Sequence, residues 1–309
     1  GVAGFIGSAV AQKLLDLGHR VVGIDNLSTG HLSSIPQGVD FFEMGAHNLE
    51  IIELLEKYDF NAIFHIAGQS GGEPSYSDPI YDLQANAQST LLLLEYLKKS
   101  SCKKIIYAST VSVYGEPVNY SSLTEDMPTN PKSLYGTSKL ASEQYLRIFA
   151  EQFGINCISL RLFNIYGPGQ NLDNLQQGMT SIYLSQAIRN KHVLIKGSKK
   201  RFRDLVYIDD AVDAFVKMLN DKYTGYHVYN VSKNKKIYVS EIVKEIQDNL
   251  PFPITIEYKG STPGDVLGYT GNFDKLNRAS NWFPNIEMND GIKRMTDWAL
   301  NKELILNQI

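Results

Sequence analysis

The feature that most constrains this chain is an alternation. Short apolar runs of strand length, "HRVVGIDN" (19–26), "NAIFHIAG" (61–68), "KKIIYAST" (103–110) and "NCISLRLFN" (156–164), are separated by helical patterns around 7–17, 78–99 and 134–152. Runs that are apolar at successive positions are strands covered on both faces, and strands that alternate with helices build a parallel sheet. The expected fold is therefore α/β, a doubly wound parallel sheet with helices on both faces, over residues 1–165. The run "STLLLLEYLKK" is the plainest helix and ends in lysines, which suit a helix C-terminus. Beyond about residue 165 the pattern loosens into "YGPGQNLDNLQQG" and shorter elements. A smaller, interleaved C-terminal domain is expected over 166–309, with segments near 204–232 returning to the first.

Bulk properties exclude several classes. The chain has 309 residues, 43% of them hydrophobic and 20% charged, which is globular composition and enough for a sizeable core. A net charge of −3 leaves no electrostatic footprint for nucleic acid. Two cysteines, Cys102 and Cys157, are too few for a disulfide framework, and the six histidines form no metal-ligand motif, so no metal is expected. No apolar run approaches the roughly 20 residues that span a membrane. A cytoplasmic protein is expected, with no membrane partner.

The opening "GVAGFIGSAV" places Gly1, Gly4 and Gly7 in the spacing G-x-x-G-x-x-G. Such glycines let the backbone turn sharply and approach a pyrophosphate, whose charge then meets the N-terminus of the following helix. At the end of the next strand stands Asp25, whose carboxylate can accept hydrogen bonds from a ribose diol and would repel a 2′-phosphate. Loop, spacing and acid together predict a Rossmann-type domain that binds NAD in preference to NADP. A glycine loop of this kind follows a strand. The expectation is that the natural polypeptide begins several residues before Gly1.

"SLYGTSKLASEQYL" puts Tyr135 and Lys139 four residues apart, on one face of a helix. Alone, the spacing fits a surface pair worth a few tenths of a kcal/mol as well as a site. A phenol ionises near pH 10, so a base at neutral pH needs a fall of about 3, or about 4 kcal/mol. A cation at about 4 Å contributes that much at an effective dielectric near 20, and about 1 kcal/mol in open water. Lys139 together with an oxidised nicotinamide would suffice only inside a partly dry cleft.

With these motifs, the chain resembles the extended short-chain dehydrogenase/reductase family and, within it, the UDP-glucose (UDP-galactose) 4-epimerases. The likeness runs through "IFHIAGQ", the Asn86 of "ANAQST", "ASTVSVYGEP", "PKSLYGTSK", "RLFNIYGPGQ", "GMTSIYLSQAI", "RFRDLVYIDD" and "TPGDVLGYTG". The resemblance implies Tyr135 as catalytic base, Lys139 holding the nicotinamide ribose, and Thr110 at the catalytic Ser/Thr position. It implies an NAD site lined by Gly1, Gly4, Phe5, Ile6, Gly7, Asp25, Asn26, Ser28, Ala67, Gly68, Gln69, Asn86 and Phe163. The implied UDP-sugar site comprises Thr110, Ser112, Asn164, Arg203, Asp265 and Tyr269. It also implies a homodimer through the helices at 78–99 and 134–152. Leu91, Leu94, Leu140 and Leu146 are compatible with that interface and equally with burial against the sheet.

Related enzymes share one first step, in which a sugar hydroxyl loses its proton to Tyr while hydride passes to NAD. In 4,6-dehydratases an Asp–Glu pair follows the Thr; here Val111 and Ser112 stand there, and neither is an acid or base near pH 7. Decarboxylases usually carry Glu at the Ser112 position. Epimerisation through a 4-keto sugar needs no further acid or base, so a UDP-glucose/UDP-galactose 4-epimerase is the expected activity. The alternatives are a UDP-glucuronate or UDP-N-acetylhexosamine 4-epimerase, then a decarboxylase or dehydratase, and last a non-catalytic NAD-binding regulator. A bulky Tyr269 favours hexoses without an N-acetyl group. The chain departs from the family pattern at Ala46, where an Asp near the adenine is common, at Thr262, where a diphosphate-binding Arg is usual, and at Ser232, commonly Gly. The basic run "KKRFR" (199–203) is a candidate to compensate for Thr262.

Overall fold

A computed structural model describes residues 1–117, 122–220, 222–260 and 266–306. Helix α1 (Phe5–Asp16) leads to strands β1 (Val21–Asp25) and β2 (Val39–Glu43), helix α2 (Ile51–Leu55) and strand β3 (Ile63–His65). Helices α3 (Gly72–Ser77), α4 (Pro79–Leu83) and α5 (Ser89–Lys99) follow, with a π-helical turn, Gln84–Gln88, between the last two. Strand β4 (Lys104–Thr110), helix α6 (Leu134–Phe153) and strand β5 (Asn156–Leu162) complete the succession expected from the alternation.

The sheet explains itself at the level of residue parity. In the parallel order β3-β4-β5, every residue of β4 is buried. Alternate side chains of a strand point to opposite faces. Ile105 and Tyr107 enter one core with Leu94, Leu97 and Leu146 from α5 and α6, whereas Ile106 and Ala108 enter a second core with Val10 and Leu14 of α1. Helices therefore cover both faces, and each fully buried aliphatic chain contributes about 1.5–3 kcal/mol. Leu94 and Leu146 are spent on this internal packing and are fully buried, so neither is available to a partner surface.

The remaining elements are β6 (Asn164–Tyr166), α7 (Met179–Asn190), β7 (His192–Ile195), β8 (Phe202–Arg203), β9 (Leu205–Tyr207), α8 (Ile208–Lys217), β10 (Tyr226–Val231), β11 (Ile237–Tyr238), α9 (Val239–Asp248), β12 (Thr255–Tyr258), α10 (Asp274–Ser280) and α11 (Met288–Leu306). Strand β10 joins β5 in parallel register, Tyr226 against Cys157 through Val231 against Leu162, and α8 packs on α1. Small two-stranded pairings join β6 with β9, β8 with β11 and β7 with β12, and β6 brings Asn164 and Ile165 to the cleft.

Two details differ from the alternation read in sequence. Strand β2 was not anticipated, because "VDFFE" is a half-buried edge with acids inside it and pairs only with β1. The parallel strands also form two sheets, β1-β2 and β10-β5-β4-β3. The facing edges of β1 and β3 line a cavity of about 780 Å³ with Val10, Leu14, Val22 and Phe64. Among the described residues, no helix is long and apolar enough to cross a membrane.

Candidate active site

A cleft of about 400 Å³ opens at the carboxyl ends of β1, β4 and β5. Its first wall is backbone. A β-carbon at Gly7 would overlap the Gly1 carbonyl, and one at Gly1 would lie 2.6 Å from the Ala67 amide nitrogen, so the loop fits only as glycine. Gly4 caps α1 with no side-chain bond, which leaves the first amides of the helix to an anionic ligand. Asp25 is buried; its Oδ2 accepts from the Ala3 amide at 3.0 Å and its Oδ1 from the Leu27 amide at 2.8 Å. The carboxylate thus fixes the loop and keeps lone pairs for a diol. Phe5, Ile6, Asn26, Ser28, Ala67, Gly68 and Phe163 also line this cleft. Gln69 does not: its amide closes on Gly71, donating to the Gly71 carbonyl and accepting from the Gly71 amide.

The chemistry sits where β4 ends. Ser133 caps α6 by accepting from the Gly136 amide, which sets Tyr135 in the first turn with Lys139 one turn on. Thr110, the last residue of β4, donates to Ser112 Oγ at 3.3 Å, and its hydroxyl acts on the Tyr135 phenol. Asn86 lies behind, in the π-helical turn, donating to Asp82 at 3.2 Å and to Ser138 at 3.0 Å. Among the described residues its buried Oδ1 has no partner, and a β-carbon at Gly68 would collide with it.

The chain's own groups leave the Tyr135 phenol raised; the expected fall is tied to Lys139 together with an oxidised nicotinamide. The Lys139 Nζ donates to the Ala108 carbonyl at 3.1 Å and lies 4.8 Å from the centroid of the Tyr107 ring. Burial lowers the ammonium to about 8, with Asp82 opposing. Burial pushes the Tyr135 phenol up to about 12, the Thr110 hydroxyl pulling it down and Asp82 raising it. Desolvation of the phenolate outweighs every charge this chain supplies.

The second wall is made of side chains. Ser112, Asn164 and Tyr269 line it, together with a dense amide group, Gln170, Asn171, Asn174 and Gln177, and the start of α7. Sequence reading missed those amides and also His47 and Tyr81, which meet edge to face at the β1 end of the cleft. The only signal was the amide density of "YGPGQNLDNLQQG" ahead of a helix. Arg203 is placed differently from expectation: it is buried, donates to the Phe202 carbonyl at 2.7 Å, and lies behind Tyr269, 5.3 Å from that ring's centroid. Lys199 covers the Tyr258 ring and Arg201 bonds the Lys196 carbonyl, so this basic run does not line the cleft. Asp265 and Thr262 lie outside the described residues. Ser232 is accounted for: fully buried, its hydroxyl donates to the Gly271 carbonyl at 2.9 Å.

A glycine loop against a helix N-terminus, an acid at the end of the next strand, and a Tyr–Lys–Thr group at a strand end define a dinucleotide-dependent enzyme of the doubly wound α/β class. Residues 1–232 match the NAD dependent epimerase/dehydratase family, and the chain belongs to that family. It is 30% identical over 308 residues to the UDP-glucose 4-epimerase of Mycolicibacterium smegmatis, covering 98% of this chain and 97% of that one. Among solved structures it resembles the Thermotoga maritima UDP-glucose 4-epimerase with UDP-glucose, at TM-score 0.93 and 29% identity over 98% of both chains. It also resembles a Bacillus cereus UDP-glucuronic acid 4-epimerase in complex with UDP-glucuronic acid and NAD, at TM-score 0.88 and 28% identity over 98% of both. The protein is an NAD-dependent member of the nucleotide-sugar epimerases, and its own cleft fits that cofactor in the glycine cradle, the Asp25 carboxylate and the unpartnered Asn86 oxygen.

Proposed function

We propose that this chain is a 4-epimerase interconverting UDP-glucose and UDP-galactose. The observation that carries the reading is the chemistry of the cleft around Thr110 and Tyr135. Among the described residues that line it, Asp25 is the one carboxylate, at the β1 end, and Lys139 the one lysine or arginine. Among the described residues, nothing beside Thr110 offers the acid and base that elimination across C5–C6 requires, and no guanidinium lines the wall to clamp a uronate carboxylate. The wall offers hydroxyls and amides, which suit a neutral hexose, and the Tyr269 ring occupies space that an acetamide would need.

In this mechanism Tyr135 takes the proton of the sugar 4-hydroxyl, and Thr110, whose hydroxyl both donates and accepts, orients that hydroxyl and relays the proton. NAD, which the glycine loop, Asp25 and Asn86 would hold, would supply a reversible hydride acceptor and, while oxidised, a positive charge. Ionising a phenol held near 12 at pH 7 costs about 7 kcal/mol. A single cation at about 4 Å returns about 4 kcal/mol. Lys139 therefore acts as a positioning charge, anchored on the Ala108 carbonyl, and does not by itself activate the base.

We further propose a homodimer through α4, α5 and α6, where Ile80 is 63% exposed, Leu83 53% and Ile148 43%. Mutating Ile148→Asp is expected to yield a monomer by sedimentation.

The test of the reaction is incubation with UDP-glucose, UDP-galactose, UDP-glucuronate and UDP-N-acetylglucosamine, with products resolved by NMR. Interconversion of the first pair is expected to dominate; a preference for either of the others, or loss of water or carbon dioxide, overturns the assignment. Tyr135→Phe is expected to lower turnover by about 10² to 10⁴ while bound NAD is retained.

A further inference from the structure

Asp204 is buried beyond any contact with solvent, and no step above uses it. It follows Arg203 directly and bridges β8 to β9. Its Oδ1 accepts from the Lys233 amide at 2.9 Å, and its Oδ2 accepts from the amides of Asn234 at 2.9 Å and Gly271 at 3.0 Å. Its carbonyl accepts twice from Asn164, from the backbone at 3.1 Å and from the side-chain Nδ2 at 3.2 Å. One residue therefore meets three segments far apart in sequence: the start of β6, the loop after β10, and the stretch that carries Tyr269. Gly271 lies so close to the Phe163 ring that a β-carbon there would run into it, and that ring meets Tyr269 edge to face at 5.8 Å. A shift at Gly271 is thus passed to both aromatic rings of the cleft.

We infer that Asp204 is a positioning residue for the nucleotide-sugar: it holds Asn164 and Tyr269 at the substrate wall as one unit, with one amide hydrogen and the Oδ1 of Asn164 left for the ligand. The inference rests on the epimerase reading. Three converging backbone donors are suited to a carboxylate and not to a side-chain amide, because either orientation of an Asn at this place sets an NH₂ against a backbone N–H.

Asp210 supplies a matched comparison within the same chain. It too is buried, and its carboxylate accepts from the amides of Asn285 and Ile286, both at 3.0 Å, but neither it nor those partners line the cleft. The experiment measures KM and kcat for UDP-glucose, Kd for UDP, NAD content and thermal stability for Asp204→Asn and Asp210→Asn. The expected result is that both variants lose stability, while Asp204→Asn alone raises KM and the UDP Kd about tenfold with kcat held within about threefold and NAD retained. Equal KM values in the two variants would show that Asp204 only stabilises the fold. Should Asp204→Asn fail to fold, Ser232→Ala, which releases the same Gly271 segment, is expected to raise the UDP Kd about threefold, and an unchanged Kd overturns the inference. UDP binding separates the two readings: wild-type protein that binds UDP without epimerising UDP-glucose refutes the activity and leaves the UDP affinities to decide the role of Asp204, whereas wild-type protein that binds no UDP refutes both.

Discussion

The two walls of the cleft are built by opposite means. The NAD wall is main chain: glycines in close approach, a free helix N-terminus, and one carboxylate that braces the loop it serves. The substrate wall is side chain, drawn from β6, the amide-rich segment before α7, and the stretch around Tyr269, and Asp204 is bonded to the first and last of these. A wall made of backbone is specified locally and tolerates little change. A wall made of side chains on separate segments can change its ligand by single substitutions, but depends on a buried polar group to keep its shape.

Acid titration breaks this comparison hardest. Burial raises the Asp204 carboxyl from 3.8 to about 7, against the opposing amides of Gly271, Lys233 and Asn234. A carboxyl raised in the folded state favours folding when protonated, so its contribution is full below about pH 4 and is lost as pH rises through about 7. The interval corresponds to at most about 4 kcal/mol. The unfolding free energy of the wild type, measured in urea relative to Asp204→Asn, is expected to fall across that window. Next in size is Gly7→Ala, whose methyl group overlaps the Gly1 carbonyl. It is expected to weaken NAD about a hundredfold by calorimetry, with UDP affinity changed far less. Smallest is Tyr269→Ser, which opens the substrate wall alone. The ratio of kcat/KM for UDP-N-acetylglucosamine over UDP-glucose is expected to rise about tenfold, with NAD affinity unchanged.

The same contrast explains what was legible in the sequence. The glycine spacing, Asp25, and the Tyr135–Lys139 pair are short-range patterns whose physical requirement is met within one loop or one helical turn, and the structure places all of them at one cleft. The helix spacing alone does not place the ammonium, however. Where the Lys139 ammonium goes is decided by the Ala108 carbonyl and the Tyr107 ring on a neighbouring strand, which no count of residues along α6 reveals. Arg203 carried a motif-based expectation of contact with the ligand, yet its guanidinium packs behind Tyr269. Asp204 stood inside the quoted run "RFRDLVYIDD", but nothing there revealed its role, since its partners lie 29 to 67 residues away. Strand β2 escaped for a local reason, its half-buried edge lacking the continuous apolar run that marks β4.

The pairing of β10 with β5 has a consequence for how the protein is made. Residues 226–231 pair with β5 in the sheet that includes residue 63, so a nascent chain that ends near residue 165 carries β5 with one edge open until some 60 more residues have been synthesised. An exposed apolar parallel edge is a site for mispairing with other chains. Truncations that end before Tyr226 should therefore aggregate rather than yield an isolated cofactor domain.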